Sequence, residues 1–264
     1  MNISVLTRVS IFSLSLLFLS ACQDDDDRVA QEVTPEFIWT QNWDGAPLAN
    51  ADFDVTPLTN ANGETLTLSK LVYLISDITF TNAQGESFSA GDYNLVDARE
   101  GLGLSFSPDV LIPEGIYTVA FRFGFDDEDN ALDYAFLNSA DGGWNVPAML
   151  GGGYHFMRME GKYINTQTIP ESEVNFQYHT IRAADPSTTP VTLQDTSFLV
   201  NLGQVTIDEN TTIEVKMNVA EWFKNPNTWN LYELYTMLMP NFDAQLLMSQ
   251  NGANGVFSLG TVTD

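Results

Sequence analysis

The chain holds only two histidines. Both stand in segments that alternate like strands: His155 in Tyr154-His155-Phe156-Met157-Arg158-Met159-Glu160, His179 in Phe176-Gln177-Tyr178-His179. Neutral imidazole is the commonest protein metal ligand. If the segments form an antiparallel hairpin with residue 155 facing residue 179, the turn centres on Gln167, within the turn-forming Asn165-Thr166-Gln167-Thr168. Opposed residues share a sheet face with Cβ atoms about 5 Å apart, close enough to share one ion. Met157 and Met159 have the parity of His155, so their thioethers are candidate third donors, weighed against use as core filler. Nitrogen with soft sulfur favours copper over hard cations, and a carboxylate in place of sulfur would suit zinc. The blander reading keeps both histidines as satisfied strand residues beside aromatics.

Other chemistry is harder to find. No nucleophilic triad, phosphate loop or dinucleotide fingerprint is recognisable, and Gly151-Gly152-Gly153 reads as a bend at a strand entrance. With 35 acidic residues, any one carboxylate pair carries no information. The expectation is therefore a binding protein and not an enzyme. The run Asp126-Asp127-Glu128-Asp129-Asn130 lacks the alternating ligands and glycine of a calcium loop and reads as a solvated turn. Trp144 stands in a loop just before the first histidine segment.

The elements that must position these residues are mostly strands. Tyr117, Val119, Phe121, Phe123 and Phe125 share one parity, as do Ile213, Val215, Met217 and Val219, and less cleanly Leu71, Tyr73, Ile75 and Ile78. Further strands are expected near 152–163, 173–183 and 196–203, with turns at 82–85 and 185–190. The expected fold is all-β, an immunoglobulin-like two-sheet β-sandwich with one or two short C-terminal helices, at Ala220 to Lys224 and Phe242 to Gln250, before a last strand at Gly255 to Thr261.

The chain has 264 residues, 44% of them apolar, enough for a sizeable core. A net charge of −25 argues against any nucleic-acid partner. Residues 1–21 read as an export signal ending in Leu19-Ser20-Ala21-Cys22, which resembles the lipobox of bacterial lipoproteins. Cys22, the single cysteine, is then the lipidation site, which excludes a disulfide within the chain. Residues 22–33, with Asp24 to Asp27, form an acidic tether to the membrane, and the domain proper spans 34–264. The expected location is the bacterial cell envelope, as an outer-membrane lipoprotein facing the periplasm or the cell surface.

Together these features resemble the MbnP-like copper-binding proteins. The resemblance rests on Leu71 to Phe80, on Pro113-Glu114-Gly115-Ile116-Tyr117 leading into Phe123-Gly124-Phe125-Asp126, and on Gly153 to Gly161. It continues in Phe176 to His179 and in Asn251-Gly252-Ala253-Asn254-Gly255-Val256-Phe257, and in order and spacing covers most of residues 34–262. It implies an extracytoplasmic β-sandwich that binds a copper ion through His155 and His179. It further implies a tryptophan oxidised to kynurenine by a partner di-haem peroxidase-like protein, which points to Trp144. Many members carry a Trp-rich stretch directly before the Gly-Tyr pair, where this chain has Ala148-Met149-Leu150-Gly151-Gly152.

The function expected is thus copper storage, acquisition or handover from a lipid anchor. The alternative is a metal-independent surface module binding glycans or a protein, with Trp39, Trp43 and Trp229 as stacking platforms.

Overall fold

A computed structural model describes residues 31–91 and 93–264; the export signal, Cys22 and the run Asp24 to Asp27 lie outside the described residues. Eight main strands carry the fold: β1 (Glu36–Trp43), β2 (Thr65–Asn82), β3 (Gly115–Phe123), β4 (His155–Asn165), β5 (Ser172–Ile181), β6 (Phe198–Ile207), β7 (Thr212–Asn218) and β8 (Phe257–Thr263). One sheet runs β5-β4-β2-β3-β6, and short strands at Leu58–Thr59, Ser87–Ser89 and Asn94–Asp97 pair with β2. The other runs β8-β7-β1, with Ala46–Pro47 and Ser105–Phe106 against β1. Neighbours among the main strands are antiparallel except β7 and β1, which are parallel.

The two sheets face each other across an aromatic core. Trp39 of β1 meets Phe121 of β3 edge-on at 5.1 Å between ring centroids, and Phe121 meets Phe257 of β8 at 5.3 Å. Such pairs contribute about 0.5–1.5 kcal/mol each beyond their burial. Strand β1 shows why: its alternation buries Phe37, Trp39, Gln41 and Trp43 and leaves the intervening residues half-exposed. Buried Gln41 is satisfied by donating Nε2–H to the Tyr73 hydroxyl at 2.9 Å.

This overturns the stacking-platform alternative. Trp39, Trp43 and Trp229 are 1%, 8% and 1% exposed, so none offers a ring face to a ligand. A bulky indole on the inward parity of a strand fills the space between the sheets.

The C-terminal helical segments occur close to where the spacing puts them. The first is a 3₁₀ turn, Val219–Phe223, whose Ala220 N–H donates to the Asn218 side chain. The second is α1 (Phe242–Ala253), started by Asn241, whose side chain accepts from Ala244 N–H at 3.1 Å. Buried Gln245 of α1 makes three ties at the end of β5. Its Nε2 donates to the carbonyls of His179 (2.9 Å) and Leu238 (3.0 Å), and its Oε1 accepts from Ile181 N–H (2.9 Å).

Candidate metal centre

The β4–β5 hairpin forms, but not in the expected register. His179 lies opposite Arg158 and His155 opposite Ile181, with a bulge between His155 and Met157. The bulge inserts one residue, Phe156, which reverses parity on its N-terminal side. His155 therefore shares the sheet face of Arg158, Glu160 and His179, and Met157 and Met159 face the core. Phe156 has a site waiting for it. Its ring lies against Gly124, where a Cβ would fall 2.4 Å from a ring carbon. Gly151, Gly152 and Gly153 all take positive φ, as a bend at a strand entrance requires.

The two imidazoles meet: their ring centroids are 5.6 Å apart at an interplanar angle of 82°. Metal–nitrogen bonds of about 2 Å are compatible with one ion between rings at that separation.

Each ring has one nitrogen pinned by an acceptor. The Trp144 carbonyl accepts both the His155 backbone N–H (3.0 Å) and Nδ1 (2.9 Å). Arg158 Nη2 also approaches Nδ1, at 3.3 Å, but the carbonyl is closer and can only accept; with the proton assigned to Nδ1 on that ground, Nε2 keeps its lone pair. His179 Nε2 donates to Glu160 Oε1 at 2.9 Å, so in the neutral ring Nδ1 is the nitrogen that holds the lone pair. An oxygen acceptor on the far nitrogen is what fixes tautomer and orientation in metal-binding histidines. The hydrogen bond from His179 is also the leading reason the Glu160 carboxyl is held below the usual carboxylate range.

Burial, reinforced by the nearby Arg158 charge, pushes the His155 imidazole down to about 3, despite the opposing Trp144 carbonyl. Arg158 ties the preceding loop to β4. It donates from Nη1 to the Asp141 carbonyl (3.0 Å) and carboxylate (3.1 Å), and from Nη2 to the Gly143 carbonyl. Its guanidinium lies over the Trp144 ring at 4.8 Å. Lys70 pairs with the other Asp141 oxygen at 2.6 Å. Trp144 is thereby held fully buried, 5.7 Å from the His155 ring, with its Nε1–H unpartnered.

The sulfur beside the histidines belongs to neither expected methionine. Met157 and Met159 are fully buried among the sandwich residues, on the side the bulge assigns them. Met239 supplies the thioether, with Sδ 3.2 Å from His155 Nε2. It arrives on residues 235–240, which lie along the open edge of β5: Gln177 N–H donates to the Tyr235 carbonyl at 2.7 Å, and Gln245 holds the Leu238 carbonyl. Met237 in this stretch has φ +57°, a left-handed conformation costly for a side-chain-bearing residue. A partly open cleft of about 290 Å³ is lined by Met149, Leu150, His179, Met237 and Met239, among others.

Three contributors escaped the sequence reading. Glu160 was detectable as an alternating partner of His155, but only with the bulge known. Met239 and Gln245 are 84 and 90 residues from His155 along the chain and give no local signal. The acidic run does form a turn, in which Asp126 accepts from the N–H groups of Glu128 and Asp129, but it is only partly solvated: Asp127 and Glu128 are exposed, whereas Asn130 is buried and its Oδ1 accepts from Tyr154 N–H. Among the described residues, Asp77, Asp126 and Asp129 bring carboxylate oxygens within 4.8 Å of one another. Arg122 pairs with Asp77 at 2.7 Å and Asp126 at 3.7 Å.

The class these observations define is a two-sheet β-sandwich whose edge hairpin presents a paired-imidazole cluster to a thioether-lined cleft. The MbnP family model matches residues 32–239, a span that includes both histidines and Met239, and the chain belongs to the MbnP family. Among solved structures, MbnP from Methylosinus trichosporium is similar over 75% of this chain and 80% of that chain, at 14% identity and a TM-score of 0.49. No curated protein matches the chain.

Proposed function

We propose that this protein binds a copper ion as cargo through His155 and His179, with Met239 as third donor, while tethered to the bacterial envelope by lipid on Cys22. One observation carries the reading. The two rings lie 5.6 Å apart, each has one nitrogen committed to an oxygen acceptor and so directs the other as its lone-pair nitrogen in the neutral ring, and Met239 Sδ stands 3.2 Å from His155 Nε2. Two neutral nitrogens and a thioether form a soft, uncharged donor set that suits copper and disfavours magnesium or calcium. The buried His155 resists protonation and is ready for a metal without first shedding a proton.

The protein is read as a carrier for storage, acquisition or handover. Trp144, packed beside His155, is the residue offered for oxidation to kynurenine by a di-haem peroxidase-like partner, and intact-mass measurement of native protein reads that change together with acylation at Cys22.

Competition titration of metal-free protein against a chromophoric copper chelator tests the central claim. The His155→Ala plus His179→Ala variant should lose binding. Copper affinity equal to wild type in that variant overturns the reading.

A further inference from the structure

The methionines of the described residues fall into two groups with Met239, half-buried, between them. Met157, Met159, Met217 and Met248 are completely buried, whereas Met149 and Met237 are 74% and 73% exposed. Both exposed thioethers line one cleft, which also holds Met239 and His179. Single exposed apolar residues are ordinary, but here two of them are thioethers at the same opening as a third thioether and an imidazole, which puts four soft donors around one cleft. Met149 comes from the short turn Ala148–Leu150, and Met237 from the left-handed residue of the edge segment. Two unrelated pieces of chain thus bring the same atom type to one opening.

We infer that Met149 and Met237 form an outer thioether station that captures a soft monovalent cation from solution and passes it inward to the His155–His179–Met239 donors. The inference rests on the copper reading of the inner site and deepens it. Thioether sulfur is neutral and polarisable, binds monovalent d¹⁰ ions, and competes poorly for calcium, magnesium or zinc. The net charge of −25 concentrates cations of every kind near the surface. Selection among them then falls to the first ligands met, and Met149 and Met237 are the most exposed apolar residues of this opening. Transfer is ligand exchange alone: an S–metal bond is replaced by an N–metal bond, and the ion keeps its charge throughout. Met239 bridges the two stations, since it lines the cleft and also touches His155 Nε2.

The test uses the whole chain labelled with ¹³C-methyl methionine and silver(I), a redox-inert monovalent probe. Met149 and Met237 methyl resonances should shift on addition of silver, in wild type and equally in the His155→Ala plus His179→Ala variant. In a second measurement, Met149→Leu plus Met237→Leu should slow loading of the inner site by on the order of tenfold and leave final occupancy near wild type. Unshifted methyls, or a wild-type loading rate in the leucine variant, overturn the inference. Methyl shifts that persist in a wild-type protein whose histidines bind no metal would sink the copper reading of the inner site and leave the outer thioether site standing, so the two failures are distinguishable.

Discussion

His155 and His179 lie ring to ring at 5.6 Å although Ile181, not His179, is the residue opposite His155 in the ladder. One inserted residue, Phe156, produces this arrangement by turning His155 off the core parity. Deleting Phe156 should restore simple alternation and aim His155 at the core, which abolishes copper binding. Because the deletion also threatens folding, Phe156→Leu is the companion: it keeps the bulge and an apolar side chain and should keep binding within a few-fold. Metal titration alongside near-ultraviolet circular dichroism reads both.

Sulfur identity gives a second prediction. Met239→Leu preserves shape at a cost below about 1.5 kcal/mol but removes the thioether next to His155 Nε2. Copper affinity should fall on the order of tenfold or more. Met157→Leu and Met159→Leu, substitutions on the core side, should leave affinity unchanged. Equal effects from all three would remove Met239 from the donor set.

Glu160 acts through His179. Glu160→Gln keeps an oxygen acceptor for Nε2–H but drops the negative charge, so the imidazole becomes a weaker donor. Affinity should fall by about tenfold, and Glu160→Ala, which also frees the ring to rotate, should cost more. Chelator competition at fixed pH measures the series.

Gln245 is a fastener for both sides of the centre. Gln245→Leu leaves the Ile181 N–H and the His179 and Leu238 carbonyls without their buried partner. The expected loss is about 2–3 kcal/mol of stability, read as a lower urea midpoint, together with weaker copper binding.

The metal-free protein should also be acid-sensitive through His155. Its folded value is depressed from the ordinary 6.5 to about 3, so between those limits the unfolded chain binds the extra proton. Stability from this group is complete above about 6.5 and is lost as the pH falls toward 3, on the order of a few kcal/mol in total. His155→Gln should flatten that part of the stability curve. Imidazole proton resonances of His155 should stay in the neutral position through pH 5.

Much of the sandwich was legible because alternation is a local property. Strands β3 and β7 and the helix α1 fall close to where parity and helical spacing put them. Strand β1 carries the same signal in Phe37, Trp39, Gln41 and Trp43, yet its tryptophans invite a surface reading when taken one at a time. The two histidines were legible by scarcity. Their register was not: the loop between the strands runs longer than a tight turn, and the bulge depends on Phe156 finding Gly124, 32 residues away. Met239 was invisible for the same reason, since only the closed β5 edge brings it to His155.

The cluster draws its donors from two strands of a hairpin and from the separate stretch 235–240 laid on the sheet margin. A bound ion would therefore act as a clasp between the hairpin and that stretch, and its binding free energy would be felt as resistance to local opening there. Discharge of cargo would then ask only that this stretch lift from its rail, with the aromatic interior undisturbed, so release and global unfolding become separable events.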